Sequence, residues 1–328
     1  MQQIALPGTG KLTSRLGFGC SGLVGGLESR ESLRLLEAAY GAGIRHFDTA
    51  PSYGLGTSER CVGKFASRHA GEVTITTKYG LPRPGHAFAK RLVRGVVRPM
   101  VKSLPMLRRA ASTVASAPVG IDVRPELSVS QARISLEQSR AQLKVDFIDI
   151  LLLHEASGQD LNVPGLREYL QELVDAGHIG AFGVGATVNK IPALYRERKV
   201  FCDVLQYEWS VTDPVPDYPG SFRIHHRALS SHFVKLRAWF QVDKATCHQW
   251  SDSVGMDLGG HGLASLMLVA ALQNNPECMI LFSSRSTTHI ERNVAVSTDP
   301  LVAECARRFN SLFSSGLGTS LQKACRYE

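Results

Sequence analysis

Short apolar runs alternate with amphipathic stretches from Leu16 onward, and this alternation constrains the fold more than any other feature of the chain. The runs are Arg15–Cys20, Ile44–Phe47, Val73–Thr77, Phe147–Leu153, Ile179–Val184, Asp203–Gln206, Phe222–His225 and Met279–Phe282. Helical spacing marks Arg30–Tyr40, Ser58–Ser67, Val129–Leu143, Leu166–Ala176, Asn189–Arg196, His248–Val254, Leu263–Leu272 and Thr287–Ala295. Gly41, Gly43 and Gly177 fall where helices should end. Parallel strands cannot be joined by a tight turn, so strands separated by helices imply a parallel sheet with crossovers. Eight such units in 328 residues fit an α/β closed (β/α)8 TIM barrel, with an open doubly wound sheet as the rival. No Pro-, Gly- or Ser-rich linker divides residues 1–328, which predicts one domain. The stretch Thr212–Gly220, with Pro214, Pro216 and Pro219, reads as a loop over the barrel mouth.

Charge narrows the function classes. The net +8 resides between Leu81 and Pro125, where nine basic residues face only Asp122. The remainder of the chain is neutral, so nucleic-acid binding is not expected. Apolar runs such as Ile148–Leu153 are too short to span a bilayer, and the N-terminus lacks the apolar core of a secretory signal. A cytoplasmic protein is the expectation. Seven scattered cysteines, odd in number and never paired as CxxC, predict free thiols in a reducing compartment. Cys247 and His248 lack a third ligand at a usable spacing, and no metal is expected.

Two glycine patterns stand out. GFGCSG (Gly17, Gly19, Gly22) matches the dinucleotide fingerprint GxGxxG, but LVGGLES separates it from the helix that should follow directly. Gly19, Cys20 and Ser21 instead read as a strand-end loop approached by a cofactor. The second pattern is GIRHFDTAPSYGLGTSERCVGK, in which a short strand delivers Asp48 and the next turn presents Tyr53. Lys78 and His154 end two further strands. Groups at the carboxyl ends of parallel barrel strands converge on one site, so these four predict a catalytic cluster.

FDTAPSYGLGTSE, TITTKYG, ISLEQSRAQLKVDFIDILLLH and ILFSSRSTTHIERN resemble, in order and interval, signatures of the aldo-keto reductase superfamily, over about residues 13 to 297. LGFGCSG and SRESLRLLEAA are similar to the bacterial branch of sugar-lactol dehydrogenases such as D-threo-aldose 1-dehydrogenase. The resemblance implies an NAD(P)-dependent oxidoreductase interconverting an aldehyde, ketone or sugar hemiacetal and its alcohol or lactone. It implies Tyr53 as acid/base, tuned by Lys78 and Asp48, with His154 orienting the substrate. Physical chemistry suits these roles, because an adjacent ammonium should lower a phenol's pKa and a carboxylate should compensate that ammonium.

For the cofactor, NADP(H) or NAD(H), the resemblance places the adenosine phosphates at Ser283, Ser284, Arg285, His289, Arg292 and Asn293. Gln206 would bind the nicotinamide carboxamide, beside Asp48, and His226 would stack on the ring. The family's usual Ser-Asn pair is Gly185-Ala186 here, so two side-chain contacts are missing. Those departures keep an alternative open, a catalytically weak dinucleotide-binding barrel acting as a sensor or regulatory subunit, against which the intact set Asp48, Tyr53, Lys78 and His154 argues. Trp209, Tyr79 and Trp239 are candidates for either pocket lining or packing. A monomer or small homo-oligomer is expected.

After the third strand comes a basic insertion, about 81–127, in which Lys90, Arg94, Arg98 and Lys102 recur every four residues opposite an apolar side. That pattern predicts an amphipathic helix, kinked at Pro99. Three roles compete: a packed cover over the mouth, a clamp for an anionic carbonyl or sugar substrate, and membrane-surface docking by residues 88–104.

Overall fold

Eight parallel strands close on themselves in the computed structural model, which describes residues 1–24, 29–84, 127–215, 217–229 and 231–314. A two-stranded hairpin comes first, β1 (Gln3–Ala5) and β2 (Leu12–Ser14). The barrel strands follow as β3 (Leu16–Gly19), β4 (His46–Asp48), β5 (Thr74–Tyr79), β6 (Ile148–His154), β7 (Ile179–Gly185), β8 (Val204–Glu208), β9 (Phe222–His226) and β10 (Cys278–Phe282). Each pairs in parallel with its neighbours in chain order, and β10 returns to β3 with Ile280 opposite Leu16. That last pairing excludes the open sheet.

Alternation along the strands sorts side chains into two layers. Ile150, Leu152, Ala181, Val204, Ile224, Met279 and Leu281 fill the barrel interior with Leu6, which follows β1. At Gly17 a side chain would meet Leu281 at 2.6 Å, so glycine is needed to keep that layer filled without overlap. Leu16, Phe18, Phe47, Leu151, Leu153 and Phe182 point the other way, into the larger cluster shared with the helices.

Part of the interior is polar. Thr13 Oγ1 meets Thr74 Oγ1 at 2.8 Å, Thr74 Oγ1 meets His46 Nδ1 at 2.9 Å, and His46 Nε2 meets Thr76 Oγ1 at 3.1 Å. Thr74 donates to the Arg45 carbonyl, so its oxygen accepts from Thr13 and from His46 Nδ1–H, while Thr76 donates to Nε2. His46 is thereby neutral and doubly satisfied, and burial, then the Lys78 charge, pushes its pKa down to about 3. This column rises from β2 to one turn of pleat below Lys78.

The helices are α1 (Ser29–Gly41), α2 (Ser58–Ala66), α3 (Val129–Leu143), α4 (Leu166–Asp175), α5 (Ile191–Glu197), α6 (Ser231–Val242), α7 (Lys244–Val254), α8 (Gly262–Asn274), α9 (Thr287–Val296) and α10 (Pro300–Ser314). Ser128 caps α3 by accepting from Gln131 N, and Gly177 lies just beyond α4 with φ 69°. One departure concerns the crossovers: β8 and β9 are adjacent and parallel, yet residues 209–221 join them with no helix among the described residues. The segment expected over the mouth instead descends along the barrel wall, laying Tyr218 edge-on to Tyr207, with Tyr195 donating to the Pro219 carbonyl at 2.7 Å. Helices α6 and α10 were not anticipated; with α7 and α8 they form a separate outer cluster holding Leu236, Trp250, Leu266 and Phe309. Cys247 is buried in that cluster while the adjacent His248 is exposed, so the two do not share a site. No described helix is long and apolar enough to cross a membrane. The basic helix expected around Lys90, Arg94, Arg98 and Lys102 lies outside the described residues.

Candidate active site

At the carboxyl ends of the strands, register sets the heights of the predicted groups. Asp48 ends β4 opposite Thr76, His154 ends β6 opposite Gly185, and Gly185 stands opposite Gln206. Lys78 shares the inward face of β5 with Thr74 and Thr76, so it projects into the barrel above the threonine column.

Lys78 is the centre of the cluster. Its Nζ donates to Asp48 Oδ1 at 2.8 Å, Asp48 Oδ2 at 2.7 Å and the Thr49 carbonyl at 3.1 Å. Both side chains are almost wholly buried, with 1% and 5% exposed. Burial lowers the Lys78 pKa, and Asp48 opposes that shift. Gln206 Nε2 donates to the same Asp48 Oδ2 at 2.7 Å. Asp48 therefore fixes both the ammonium and the neighbouring amide.

Tyr53 arrives on a short 3-10 turn, Tyr53–Gly56. Gly54 there has φ 56°, and a side chain would strike the Leu23 carbonyl at 1.7 Å, so only glycine allows this turn. The phenol ring lies with its centre 5.0 Å from Lys78 Nζ and edge-on to His154, centroids 5.7 Å apart. All four predicted residues thus meet in one place. The expected direction of the Tyr53 pKa is reversed, however. Burial, then the charges of Asp48 and Glu155, push the phenol well above its ordinary value.

A second buried carboxylate, Glu59 in the first turn of α2, sits behind this cluster. It accepts from Thr77 Oγ1 at 2.7 Å and pairs with Arg83 Nη2 at 2.6 Å, while Arg83 Nη1 donates to the Gly56 carbonyl at 3.0 Å. The strand of Lys78 and the turn of Tyr53 are tied through it. Tyr79 is also structural: its hydroxyl donates to the Ser128 carbonyl at 3.0 Å and accepts from Ser128 N at 3.1 Å.

The sequence profile of the Aldo/keto reductase family matches residues 15–219. The chain belongs to the aldo/keto reductase family. Its similarity to D-threo-aldose 1-dehydrogenase of a Pseudomonas species is 31% identity over 182 residues, 53% of this chain and 50% of that protein. Pyridoxal 4-dehydrogenase of Microbacterium luteolum is 28% identical, covering 65% of this chain and 64% of that one. The chain thus matches about half to two-thirds of the length of these relatives. Among solved structures, an aldo-keto reductase from Bacillus halodurans superimposes with a TM-score of 0.66 at 18% identity, covering 95% of this chain and 96% of that one. A Klebsiella pneumoniae aldo/keto reductase, solved with NADP and acetate, gives 0.61 at 17% identity, over 91% and 90% of the two chains.

In this aldo/keto reductase the residues expected around a nicotinamide are partly assembled. A side chain at Gly185 would stand 3.5 Å from Gln206 Oε1, so the glycine borders that amide oxygen. His226 is half-buried at the end of β9, its pKa pushed down to about 3 by burial and by Lys78 and Arg227. His225 turns outward instead, edge-on to Tyr207 with centroids 4.7 Å apart. Gly19, Cys20 and Ser21 line the neighbouring loop, where Cys20 N donates to the Asp48 carbonyl at 2.8 Å and Gly54 N to the Ser21 carbonyl at 3.3 Å.

Farther along, Ser286 caps α9 by accepting from His289 N, and Ser284 Oγ accepts from Ser286 N at 3.1 Å. Those two hydroxyls already serve the helix end. Ser283, Arg285 and His289 are exposed, and Arg292 and Asn293 half-buried. Arg285 Nε lies near the first loop, 3.8 Å from where a Gly22 side chain would begin. Two of the aromatic candidates are packing residues as well. Trp209 is 1% exposed and donates to the Pro214 carbonyl at 3.0 Å, and Trp239 is held on α6 against Phe240 and Trp250.

The sequence reading missed Thr77 and Arg83 as partners of Glu59, and Thr49 and His46. Only Glu59 carried a signal, an acidic residue in an otherwise apolar helix face beside the turn of Tyr53.

Proposed function

We propose that the protein is an NAD(P)-dependent oxidoreductase that interconverts a carbonyl and its alcohol, with Tyr53 as proton donor. The observation that supports this reading best is the fully buried Lys78–Asp48 pair, with Nζ 5.0 Å from the Tyr53 ring centre and His154 edge-on to that ring. A nicotinamide cofactor, held by Gly19–Ser21, Gln206, His226 and the residues Ser283, Ser284, Arg285, His289, Arg292 and Asn293, would supply hydride. The Gln206 amide, held by Asp48 and bordered by Gly185, fits a carboxamide, and the amino end of α9 with Arg285 fits phosphate. Nothing among these residues separates NADPH from NADH.

The chain's own residues handle the proton. Because its pKa is raised, Tyr53 carries its proton at neutral pH and is suited to give it to the developing alkoxide. The phenolate left behind faces the Lys78 ammonium, which Asp48 and the Thr49 carbonyl hold in place. His154 borders the same space and would orient the carbonyl oxygen. The sugar-lactol and pyridoxal dehydrogenases among the relatives suggest a polar aldehyde or hemiacetal as substrate.

Tyr53→Phe tests the assignment. Reduction of a carbonyl panel should fall by about 10²- to 10⁴-fold, while cofactor binding followed by nicotinamide fluorescence persists. Wild-type reduction should not decline between pH 7 and 9 from loss of the phenol proton. Undiminished turnover in the variant would remove Tyr53 from the chemistry.

A further inference from the structure

Three consecutive residues in the turn that carries Tyr53 lie in the left-handed region: Gly54 at φ 56°, Leu55 at φ 56° and Gly56 at φ 82°. Glycine takes that conformation freely. Leucine is strained in it and keeps it only where its surroundings fix the backbone. Some of the fixing is local: Tyr53 N donates to the Ala50 carbonyl at 3.1 Å, and Thr57 N and Oγ1 donate to the Gly54 carbonyl at 3.2 and 2.5 Å. These contacts do not relate the turn to β5, the strand of Lys78.

Glu59 supplies that relation. Its side chain is wholly buried and its carboxylate reaches two elements at once. One oxygen accepts from Thr77 Oγ1 at 2.7 Å, and the other pairs with Arg83 Nη2 at 2.6 Å. Thr77 precedes Lys78 on β5 and faces the helices, while Lys78 faces the barrel interior. Arg83 completes its fork with Nη1, which donates to the Gly56 carbonyl at 3.0 Å. The arginine stem also packs on that residue, since a side chain at Gly56 would begin 2.9 Å from Arg83 Cγ. Strand, carboxylate, guanidinium and strained turn form one connected path from the ammonium to the phenol. The Glu59 charge also favours the charged form of Lys78.

We infer that Glu59 is a positioning residue which, through Thr77 and Arg83, sets the separation of the Tyr53 hydroxyl from the Lys78 ammonium. This rests on the proton-donor reading of Tyr53 above. A misplacement of about 1 Å in a reacting group can cost about 10²-fold in rate. The bridge therefore governs how fast the proton moves, and leaves substrate and cofactor affinity to other residues.

The experiment measures carbonyl reduction by Thr77→Val, Thr77→Ser and Glu59→Gln, with active sites counted by titration of nicotinamide fluorescence. Thr77→Val and Glu59→Gln should lower kcat by about 10- to 100-fold, with KM and cofactor affinity nearly unchanged. Thr77→Ser keeps the donor and should recover most of the rate. Should Glu59→Gln fail to fold, Thr77→Val decides alone, because valine copies the shape of threonine without its hydroxyl. In a Tyr53→Phe background Thr77→Val should change the residual rate by less than about twofold, since no phenol is left to position. Wild-type kcat in Thr77→Val overturns the inference. So does an equal loss with and without the phenol, which marks a general loss of fit, or an effect confined to KM or cofactor affinity. If the wild-type protein reduces no carbonyl, or Tyr53→Phe keeps full turnover, the activity reading falls separately. The bridge is then read from the ring itself by NMR of 13C-labelled tyrosine, where the signal lost in Tyr53→Phe belongs to Tyr53. Thr77→Val must move or broaden that signal and Thr77→Ser must return it; a signal unmoved overturns the inference.

Discussion

The two ends of the barrel both bury charge, but they dispose of it differently. At the amino end the Arg15 guanidinium is satisfied mostly by neutral groups. It donates to the Cys278 carbonyl at 3.2 Å, the Asn275 carbonyl at 2.6 Å, the Leu272 carbonyl and Gln2 Oε1. Lys11 pairs with Asp149 at 2.8 Å, and Asp149 also accepts from Ile75 N at 2.8 Å. These contacts tie the hairpin and the strand ends together. At the carboxyl end the charges face one another, Asp48 against Lys78. Burial alone therefore does not distinguish the two ends; the side chains gathered around each charge do.

The largest effect expected from this contrast lies at the mouth. Asp48→Asn leaves a buried ammonium without its counter-ion and should destabilise the protein by about 3–5 kcal/mol in urea unfolding. The double variant Asp48→Asn/Lys78→Met should recover much of that loss while remaining inactive. If the double variant were no more stable than the single one, the pair would not be the unit described here.

Arg15→Met comes next. Removing a buried charged donor from several carbonyls should cost about 2–4 kcal/mol, with kcat unchanged at temperatures where the variant stays folded. A fall in kcat without a fall in stability would dissolve the distinction between the two ends.

The smallest effect is a pH dependence shared by both ends. His46 and His225 are fully buried, and burial pushes each down to about 3. Both pKa values fall on folding, so the native state prefers the neutral ring. Their contribution is complete above the unfolded value near 6.5 and is lost as pH falls below it toward 3. Between pH 7 and 6 the two together should cost about 1 kcal/mol, and His225→Phe should remove about half of that slope. His46 has close hydrogen bonds on both nitrogens, whereas His225 has only looser contacts with the Asn275 side chain and the Tyr207 backbone. Equal slopes from the two would show that burial, not partnering, sets the titration.

Strands β3 to β10 were legible because each is a short apolar run, buried on one or both sides. The hairpin was not, since three residues per strand cannot display a period of two. The missing crossover helix between β8 and β9 was visible only as a proline cluster, and its course along the wall follows from Tyr207 and Tyr218 meeting in space. Asp48, Lys78 and His154 were readable as polar residues at strand ends, and Tyr53 from the turn beside them. The direction of the Tyr53 pKa was not, because it is set first by how deeply the folded chain buries the phenol and then by the carboxylates around it.

The basic segment leaves the barrel beside Arg83, clamped to Glu59 and Gly56, and the chain re-enters beside Ser128, clasped by Tyr79. One stem is tied to the turn of Tyr53 and, through Glu59 and Thr77, to the strand that carries Lys78; the other is tied to that strand's last residue. Evolution could therefore exchange or resize everything between those two bolts, as a tool is changed in a chuck, without moving the ammonium beneath. Grafting a short linker from Pro84 to Leu127 would be the engineer's version of the same operation.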